Sequence, residues 1–338
     1  GCESERVEIM VNVNAEATHL NFDGVDDYVN LGASLNTTLD PLNTITVESW
    51  VKPATNTGLG VIVGNYANPL GSQMQFLLRR DGTSYTFWIN GTSGIFKVVE
   101  AINTVQLNTW QHVAGVWNGT DLKIYVNGVL SGTTTNVTDS SFATSTNSTF
   151  IGNNQAGSPE IFTGDIDEVR IWNIARSQTD INNLKDCEAM SQPELIAYYK
   201  FNQGYDGVSN TGITSLTDSA GSNNGTLTNF ALTGATSNWK AGSTVATGNT
   251  CTVLQNESFN VSTNFKIYPN PTKNIVNIDV LNLDNALVEV YDINGRQLFT
   301  QKLNNTTNNV NIENLAAGVY MFKVTSNQGT ATSKVIKQ

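Results

Sequence analysis

Three acidic residues lie close together in the run DIDE at positions 165–168. A retaining glycosidase needs two carboxyl groups about 5 Å apart, and on a strand only positions i, i+2 and i+4 share a face. Asp165 and Asp167 share a face, but the next position on that face is Val169, and Glu168 points to the other side. Because this spacing is incomplete, we predict that the chain is not an enzyme.

A second acidic group occupies the turn DGVDD at 23–27. Calcium prefers six to eight oxygen ligands from carboxylates and carbonyls, whereas magnesium fits an all-protein cage poorly. Asp23 and Asp26, together with Asp165 and Asp167, could supply several of these ligands to Ca²⁺. The alternative is that they are solvated carboxylates around a tight Asp-Gly turn, and the residues alone leave both readings open.

The two histidines add no further catalytic chemistry. Neither His19 nor His112 lies near a nucleophile motif. His112 lies between Trp110 and Val113 on a predicted core strand, where we expect it to serve in packing.

The elements that would position these residues are short strands. Between 17 and 175, alternating segments are separated by turn residues, as is typical of an all-β sandwich. In the best example, Ile45, Val47 and Val51 point to one side and Glu48 and Trp50 to the other. The dipeptides that favour hairpin turns are Asp81-Gly82, Asn90-Gly91, Asn118-Gly119 and Asn127-Gly128. One short helix is predicted, capped by Ser177 and Asp180. The pattern indicates an antiparallel jelly-roll sandwich.

A change in composition divides the chain. From residue 265 onwards there are 7 basic and 5 acidic residues, a charge of +2, against −13 for the preceding residues. We expect 1–15 to be the last strand of a truncated upstream domain, or else a plain N-terminal strand. We predict a jelly roll at 16–187, an appendage and linker at 188–262, and a small immunoglobulin-like β-sandwich at 263–338.

Overall composition excludes several classes of function. The net charge of −11 repels phosphate backbones and anionic lipid headgroups, so we expect no nucleic-acid partner and no binding to a membrane surface. No apolar run approaches the ~18 to 20 residues that a membrane-spanning helix needs. The 44 Asn residues provide a polar surface with little charge, which argues against a cytosolic helical protein.

The first half contains five motifs, LNFDGVDDYV at 20–29, ITVESWVKP at 45–53, WQHVA at 110–114, LKIYVNG at 122–128 and FTGDIDEVRIWN at 162–173. Together they resemble the laminin-G-like or concanavalin A-like jelly-roll family. In that family the first and last strands are neighbours, which would bring Asp23 or Asp26 towards Asp165 and Asp167. The family also binds ligands at rim loops. The loop positions this implies are Asn65, Tyr66, Asn68, Asn153, Asn154 and Gln155, although ordinary turn residues remain the alternative.

The last 74 residues contain the motifs YPNP at 268–271, VYDINGR at 290–296, LAAGVY at 315–320 and the terminal Lys334, Val335, Ile336 and Lys337. With these motifs the segment resembles the type A C-terminal sorting domain of the type IX secretion system of Bacteroidota. The resemblance implies export through the outer membrane, a secreted or cell-surface location, and recognition of the terminal strand by the translocon and its shuttle protein. Export to an oxidising environment would pair Cys187 with Cys251, since Cys2 belongs to the truncated strand. Three free thiols are the alternative.

These expectations combine into one functional hypothesis. The chain is predicted to be a carbohydrate-binding or adhesin-type jelly roll with a sorting domain. Two alternatives are a structural spacer that binds nothing, and an accessory region of a polysaccharide-degrading enzyme whose catalytic unit lies upstream.

Overall fold

The computed structural model describes residues 17–66, 73–154, 160–251, 265–280, 286–293, 295–304, 307–326 and 329–338. The chain divides into two compact units, Gly1–Val253 and Leu254–Gln338. The strand expected at 1–15 lies outside the described residues.

The described part of the first unit contains sixteen strands and two short helices. The strands before the long C-terminal strand of the jelly roll are β1 (Thr18–Asp23), β2 (Tyr28–Gly32), β3 (Ile45–Pro53), β4 (Leu59–Gly64), β5 (Phe76–Asp81), β6 (Ser84–Asn90), β7 (Phe96–Ala101), β8 (Gln111–Trp117), β9 (Leu122–Val126), β10 (Val129–Thr134) and β11 (Thr149–Ile151). They are followed by β12 (Thr163–Trp172), β13 (Leu195–Tyr199), β14 (Ser215–Leu216), β15 (Gly225–Thr228) and β16 (Trp239–Ala241). The helices are α1 (Asn36–Leu39) and α2 (Gln178–Leu184).

Two antiparallel sheets of eight strands each form the jelly roll. The first sheet has the order β10-β9-β8-β3-β12-β1-β16, with β13 also paired to β12. The second sheet has the order β14-β15-β2-β11-β4-β5-β6-β7. Apolar side chains from both sheets, among them Leu20, Val47, Phe87 and Trp239, form one buried core. The predicted all-β fold class is confirmed.

Residues 188–262, predicted as an appendage and linker, contribute strands to both sheets. β13 and β16 extend the first sheet, and β14 and β15 extend the second. Trp239, at the start of β16, is fully buried. A large part of this polar segment therefore completes the jelly roll.

The long strand β12 contains a bulge that decides where its charged side chains point. The register with β3 shifts between Asp167 and Arg170, and Glu168 adopts a left-handed backbone with φ of 53°. The extra residue puts Glu168 in contact with Arg170, while Ile166 and Val169 both stay in the core. A bulge of this kind re-aims a side chain at the cost of one pairing position.

Helix α2 covers part of the outer face of the first sheet. Ser177 and Asp180 form the predicted capping box, which satisfies two backbone N–H groups at the helix start. Ile181 packs against outward-facing residues of β8 and β9, including Val116 and Tyr125. The outer face beneath the helix is therefore buried.

The second unit contains seven strands in its described part. They are β17 (Phe265–Tyr268), β18 (Ile275–Val280), β19 (Leu287–Tyr291), β20 (Gln297–Lys302), β21 (Thr307–Asn311), β22 (Gly318–Ser326) and β23 (Gly329–Lys337). A three-stranded sheet, β17-β18-β21, and a four-stranded sheet, β20-β19-β22-β23, enclose a separate core. Val276, Val290, Phe322 and Val335 are among its buried side chains.

Candidate functional site

The four predicted calcium ligands do not converge on one site. Strand β1 pairs with β12 in a register that places Asn21 opposite Asp165 and Asp23 opposite Thr163. Asp23 instead clusters with Asp26 and Asp27, whose carboxylate oxygens all lie within 4.8 Å of one another. The predicted four-residue site does not form because the register between β1 and β12, which are distant in sequence, does not place Asp23 opposite Asp165.

Asp165 and Asp167 have other partners. Asp165 accepts a hydrogen bond from Asn21 at 2.6 Å, and its Oδ2 lies 3.5 Å from both His19 Nε2 and Lys52 Nζ. Burial opposes ionisation, but the neighbouring His19 ring and the hydrogen bond from Asn21 hold the pKa of Asp165 below its usual value. Asp167 is fully buried and bonded to Ser243, and burial raises its pKa well above the usual value.

Asp27 is the member of the acidic cluster that was not selected from the sequence. Its side chain is fully buried and accepts hydrogen bonds from the Asp23 backbone N–H at 2.9 Å and from Ser237 at 2.8 Å. Burial raises the pKa of Asp27 to about 6. Asp27 directly precedes β2 and lies two positions before the buried Val29. Because residues two apart on a strand share a face, the sequence could have indicated an inward-facing carboxylate. The cluster offers oxygen ligands to a hard cation.

A buried ionic cluster lies beneath α2 on the outer face of the first sheet. Arg170 donates to Glu168, and its Nη1 lies 3.8 Å from Glu48. Tyr198 also donates to Glu168, and Arg170 donates to the Leu184 carbonyl at 2.8 Å. Burial raises the pKa of the Glu168 carboxyl and Arg170 opposes this shift. These groups tie β12 to the end of α2.

The outer face of the second sheet presents a different surface. Leu77 lies opposite Trp88 in the β5–β6 register, and both point away from the main core into a smaller cluster with Tyr66 and Phe96. We call this surface the Trp88 face and define it by Tyr66, Leu77, Arg79, Trp88, Phe96 and Glu160. Trp88 and Phe96 are half-buried, so part of each ring contacts solvent.

Polar groups border the rings of the Trp88 face. The guanidinium of Arg79 lies 5.3 Å from the centre of the Trp88 ring, and its Nη1 donates to Glu160 at 2.9 Å. Glu160 is held beside β4 because its backbone carbonyl accepts from the Val61 N–H at 2.9 Å. Burial raises the pKa of the Glu160 carboxyl against the effect of Arg79. Burial also raises the pKa of Tyr66, and the charge of Glu160 adds to that rise.

The predicted rim-loop residues that the structure describes fall into two groups. Tyr66 belongs to the Trp88 face, but Asn65 is buried and bonds to Gln75 at 2.6 Å. Asn153 and Asn154 are also buried, with Asn153 accepting from the Asn154 backbone at 2.8 Å. The remaining two predicted residues, Asn68 and Gln155, lie outside the described residues.

Arg79, Trp88, Phe96 and Glu160 were not identified from the sequence. One signal was available, because Phe87 and Ile89 are core residues and alternation puts Trp88 on the opposite side. An outward-facing Trp in mid-strand is a reason to expect a functional surface.

Cys187 and Cys251 form a disulfide with a Cα–Cα distance of 5.4 Å. It joins the residues that follow α2 to those that follow β16, at a sequence separation of 64. The strands β13 to β16 therefore lie within the closed loop.

The terminal strand β23 is fastened on both sides. It pairs with β22 along one edge, and on the other Asn270 donates to the Lys334 carbonyl at 2.7 Å and accepts from the Ile336 N–H at 2.9 Å. Val335 and Lys337 are buried, whereas Lys334 and Ile336 are exposed. The four predicted sorting-signal residues therefore present only two side chains to solvent.

These features define a two-domain all-β protein with a jelly roll followed by a small sandwich. Residues 23–182 match the family model of the concanavalin A-like lectin/glucanases superfamily, and residues 266–338 match that of the secretion system C-terminal sorting domain. Both matches agree with the predicted resemblances, a concanavalin A-like jelly roll followed by a C-terminal sorting domain. The sorting domain marks the protein for secretion or the cell surface. The described residues contain no helix long and apolar enough to span a membrane.

Several solved structures share part of the fold. One is a Bacteroides ovatus ATCC 8483 protein described as carbohydrate-binding, with 19% identity, TM-score 0.49, and coverage of 67% of this chain and 60% of the other. A second is domain 4 of an extracellular arabinanase from Geobacillus stearothermophilus in complex with arabinotriose, with 22% identity, TM-score 0.38, and coverage of 49% and 75%. A third is the CBM40 of a Ruminococcus gnavus sialidase bound to α2,3-sialyllactose, with 15% identity, TM-score 0.42, and coverage of 48% and 94%.

At these identities and TM-scores the similarity carries no functional information. The chain spans 60% of the length of the Bacteroides ovatus protein. No curated protein sequence matches this chain.

Proposed function

We propose that this chain is a secreted or cell-surface glycan-binding module of the adhesin type, without catalytic activity, whose ligand binds at the Trp88 face. The observation that supports the proposal is a half-exposed indole bordered by a carboxylate and a guanidinium on one sheet face. Aromatic rings pack against the apolar faces of sugars, while a few polar groups fix the orientation of hydroxyls.

The export of the protein is compatible with this function, because extracellular glycans are accessible there. As part of the same proposal, the type IX translocon and its shuttle protein are the partners of the sorting domain, and the jelly roll is its cargo. The superfamily whose model matches residues 23–182 includes lectins, which also supports glycan binding.

The test is a glycan array probed with the full chain and with two tryptophan variants. Trp88→Ala should reduce binding at least tenfold, because it removes the stacking surface. Trp110→Ala is the matched control, since Trp110 is also half-buried but contacts His19 on the outer face of the first sheet.

Both variants must first show the far-UV circular dichroism of the parent. A folded Trp88→Ala protein that binds as tightly as the parent would overturn the assignment of the site. A parent protein that binds no glycan would favour the structural-spacer alternative.

We also propose that Ca²⁺ binds the cluster of Asp23, Asp26 and Asp27. Exposed Asp26 and half-exposed Asp23 provide carboxylate oxygens, and water molecules would complete the coordination shell. Calcium should raise the melting temperature of the first unit, because a ligand bound only by the folded state stabilises it. Asp26→Asn should weaken this response. An unchanged melting curve after EDTA treatment of metal-loaded protein would contradict the proposal.

A further inference from the structure

The Trp88 face carries more negative than positive charge. Arg79 and Asp81 both lie on the outer side of β5. Glu100 is exposed on β7 opposite Thr86. With Glu160, this places three carboxylates and one cation on or beside the face. Lys97 lies opposite Ile89, which points into the core, so it belongs to the other side of the sheet.

The neighbouring segments do not change this balance. Residues 67–72 and 155–159, which flank Tyr66 and Glu160 in the sequence, contain no Asp, Glu, Lys or Arg. These two segments therefore add no charge to the four groups already named.

The single cation is already paired with two carboxylates. Arg79 Nη1 donates to Glu160 at 2.9 Å and Nη2 donates to Asp81 at 3.1 Å. Its side chain is only 11% exposed, and the guanidinium lies against Trp88. Recognition of a carboxylate or sulfate by arginine depends on a pair of available N–H donors, and here both terminal nitrogens have carboxylate partners.

We propose that the Trp88 face selects uncharged sugar units and disfavours glycans that carry carboxylate or sulfate groups. This inference rests on the proposed glycan-binding function. Asp81, Glu100 and Glu160 act as selectivity-determining residues, since they repel an anion that approaches the indole. Arg79 is a positioning residue that holds Glu160 and Asp81 at the edge of the ring.

Coulomb's law sets the size of the expected selectivity. Repulsion between two like unit charges about 6 Å apart in water weakens binding by about threefold. Two uncompensated carboxylates within a Debye length of ~8 Å should therefore weaken binding of an anionic glycan by about 3- to 10-fold at physiological ionic strength.

The experiment uses ligand pairs in which an ionised carboxylate is compared with its uncharged methyl ester. Affinities of the full chain are measured for sialyllactose and for oligogalacturonides, each before and after methyl esterification. The uncharged member of each pair that binds should do so about 3- to 10-fold more tightly. The difference should shrink in high salt, because screening weakens repulsion between exposed charges.

Three variants isolate the cause. Asp81→Asn releases Arg79 Nη2, and Glu100→Gln removes an exposed charge, so both should reduce or reverse the preference. Asp186→Asn is the control, because Asp186 is exposed and paired with Lys185 just after α2.

The outcomes separate the inference from the proposed function. If the parent binds anionic glycans as tightly as their neutral partners, and Trp88→Ala abolishes that binding, the selectivity inference is wrong although the site stands. If no neutral or charged glycan binds the parent, the proposed function itself fails.

Discussion

Acidification should destabilise the first unit through a single buried histidine. His112 is only 1% exposed, its ring lies 5.5 Å from Trp50 in an edge-on arrangement, and its Nε2 lies 3.5 Å from Glu48. Burial lowers the pKa of His112 from 6.5 to about 4, and Arg170 opposes protonation further although Glu48 favours it. The folded state thus keeps this imidazole neutral where an unfolded chain would protonate it.

The sign and size of the effect follow from proton linkage. Above about pH 6.5 both states hold a neutral imidazole, so its contribution to the free energy of unfolding is fully present. As the pH falls, the unfolded state binds a proton that the folded state does not, and stability is lost. With a folded-state pKa of about 4, the loss is about 2 kcal/mol between about pH 7 and pH 5 and about 3 kcal/mol by about pH 4.

Urea unfolding at several pH values would measure this loss. All six Trp residues precede position 240, so tryptophan fluorescence reports the first unit alone. The parent should be more stable than His112→Gln at pH 7. This stability difference should be about 2 kcal/mol smaller at pH 5. An identical pH dependence in parent and variant would refute the reasoning, as would an NMR titration of the folded imidazole near pH 6.5.

Three further predictions concern other parts of the molecule. Arg170→Met should lower the free energy of unfolding by about 3 to 5 kcal/mol in urea titrations, because it leaves buried carboxylates unpaired; a loss below about 1 kcal/mol would be inconsistent with the ion pairs. Mass spectrometry of non-reduced peptides should recover Cys187 linked to Cys251, and reduction should cost up to roughly 4 kcal/mol, whereas alkylation of Cys187 without reductant would contradict the pairing. Residues 263–338 fused behind a periplasmic fluorescent protein should direct it out of a Bacteroidota cell, and deletion of residues 334–338 should retain it in the periplasm; equal secretion by a translocon-deficient strain would show that the fusion leaves by another route.

Local sequence patterns were sufficient to predict the fold class. Alternation in segments such as β3, together with Asn-Gly and Asp-Gly turns, depends on residues close in sequence, and these signals agree with one another along the jelly roll. The capping box at Ser177 and the motifs of both families are local in the same way. Strands β13 to β16 were harder to place, because their polar sequence resembles a linker and only their pairing in the two sheets buries Trp239.

The candidate site depended on contacts that no local pattern encodes. Asp23 and Asp165 occupy neighbouring strands, yet the register that pairs Asn21 with Asp165 separates them. The bulge at Glu168 directs that carboxylate towards Arg170. The Trp88 face likewise joins Arg79, Trp88 and Glu160, from β5, β6 and the chain before β12. The alternation of a strand shows which side each residue faces, but the hydrogen-bond register between distant strands decides which side chains meet. The sequence therefore determined the class of fold and its export, whereas tertiary pairing alone determined the composition of the site.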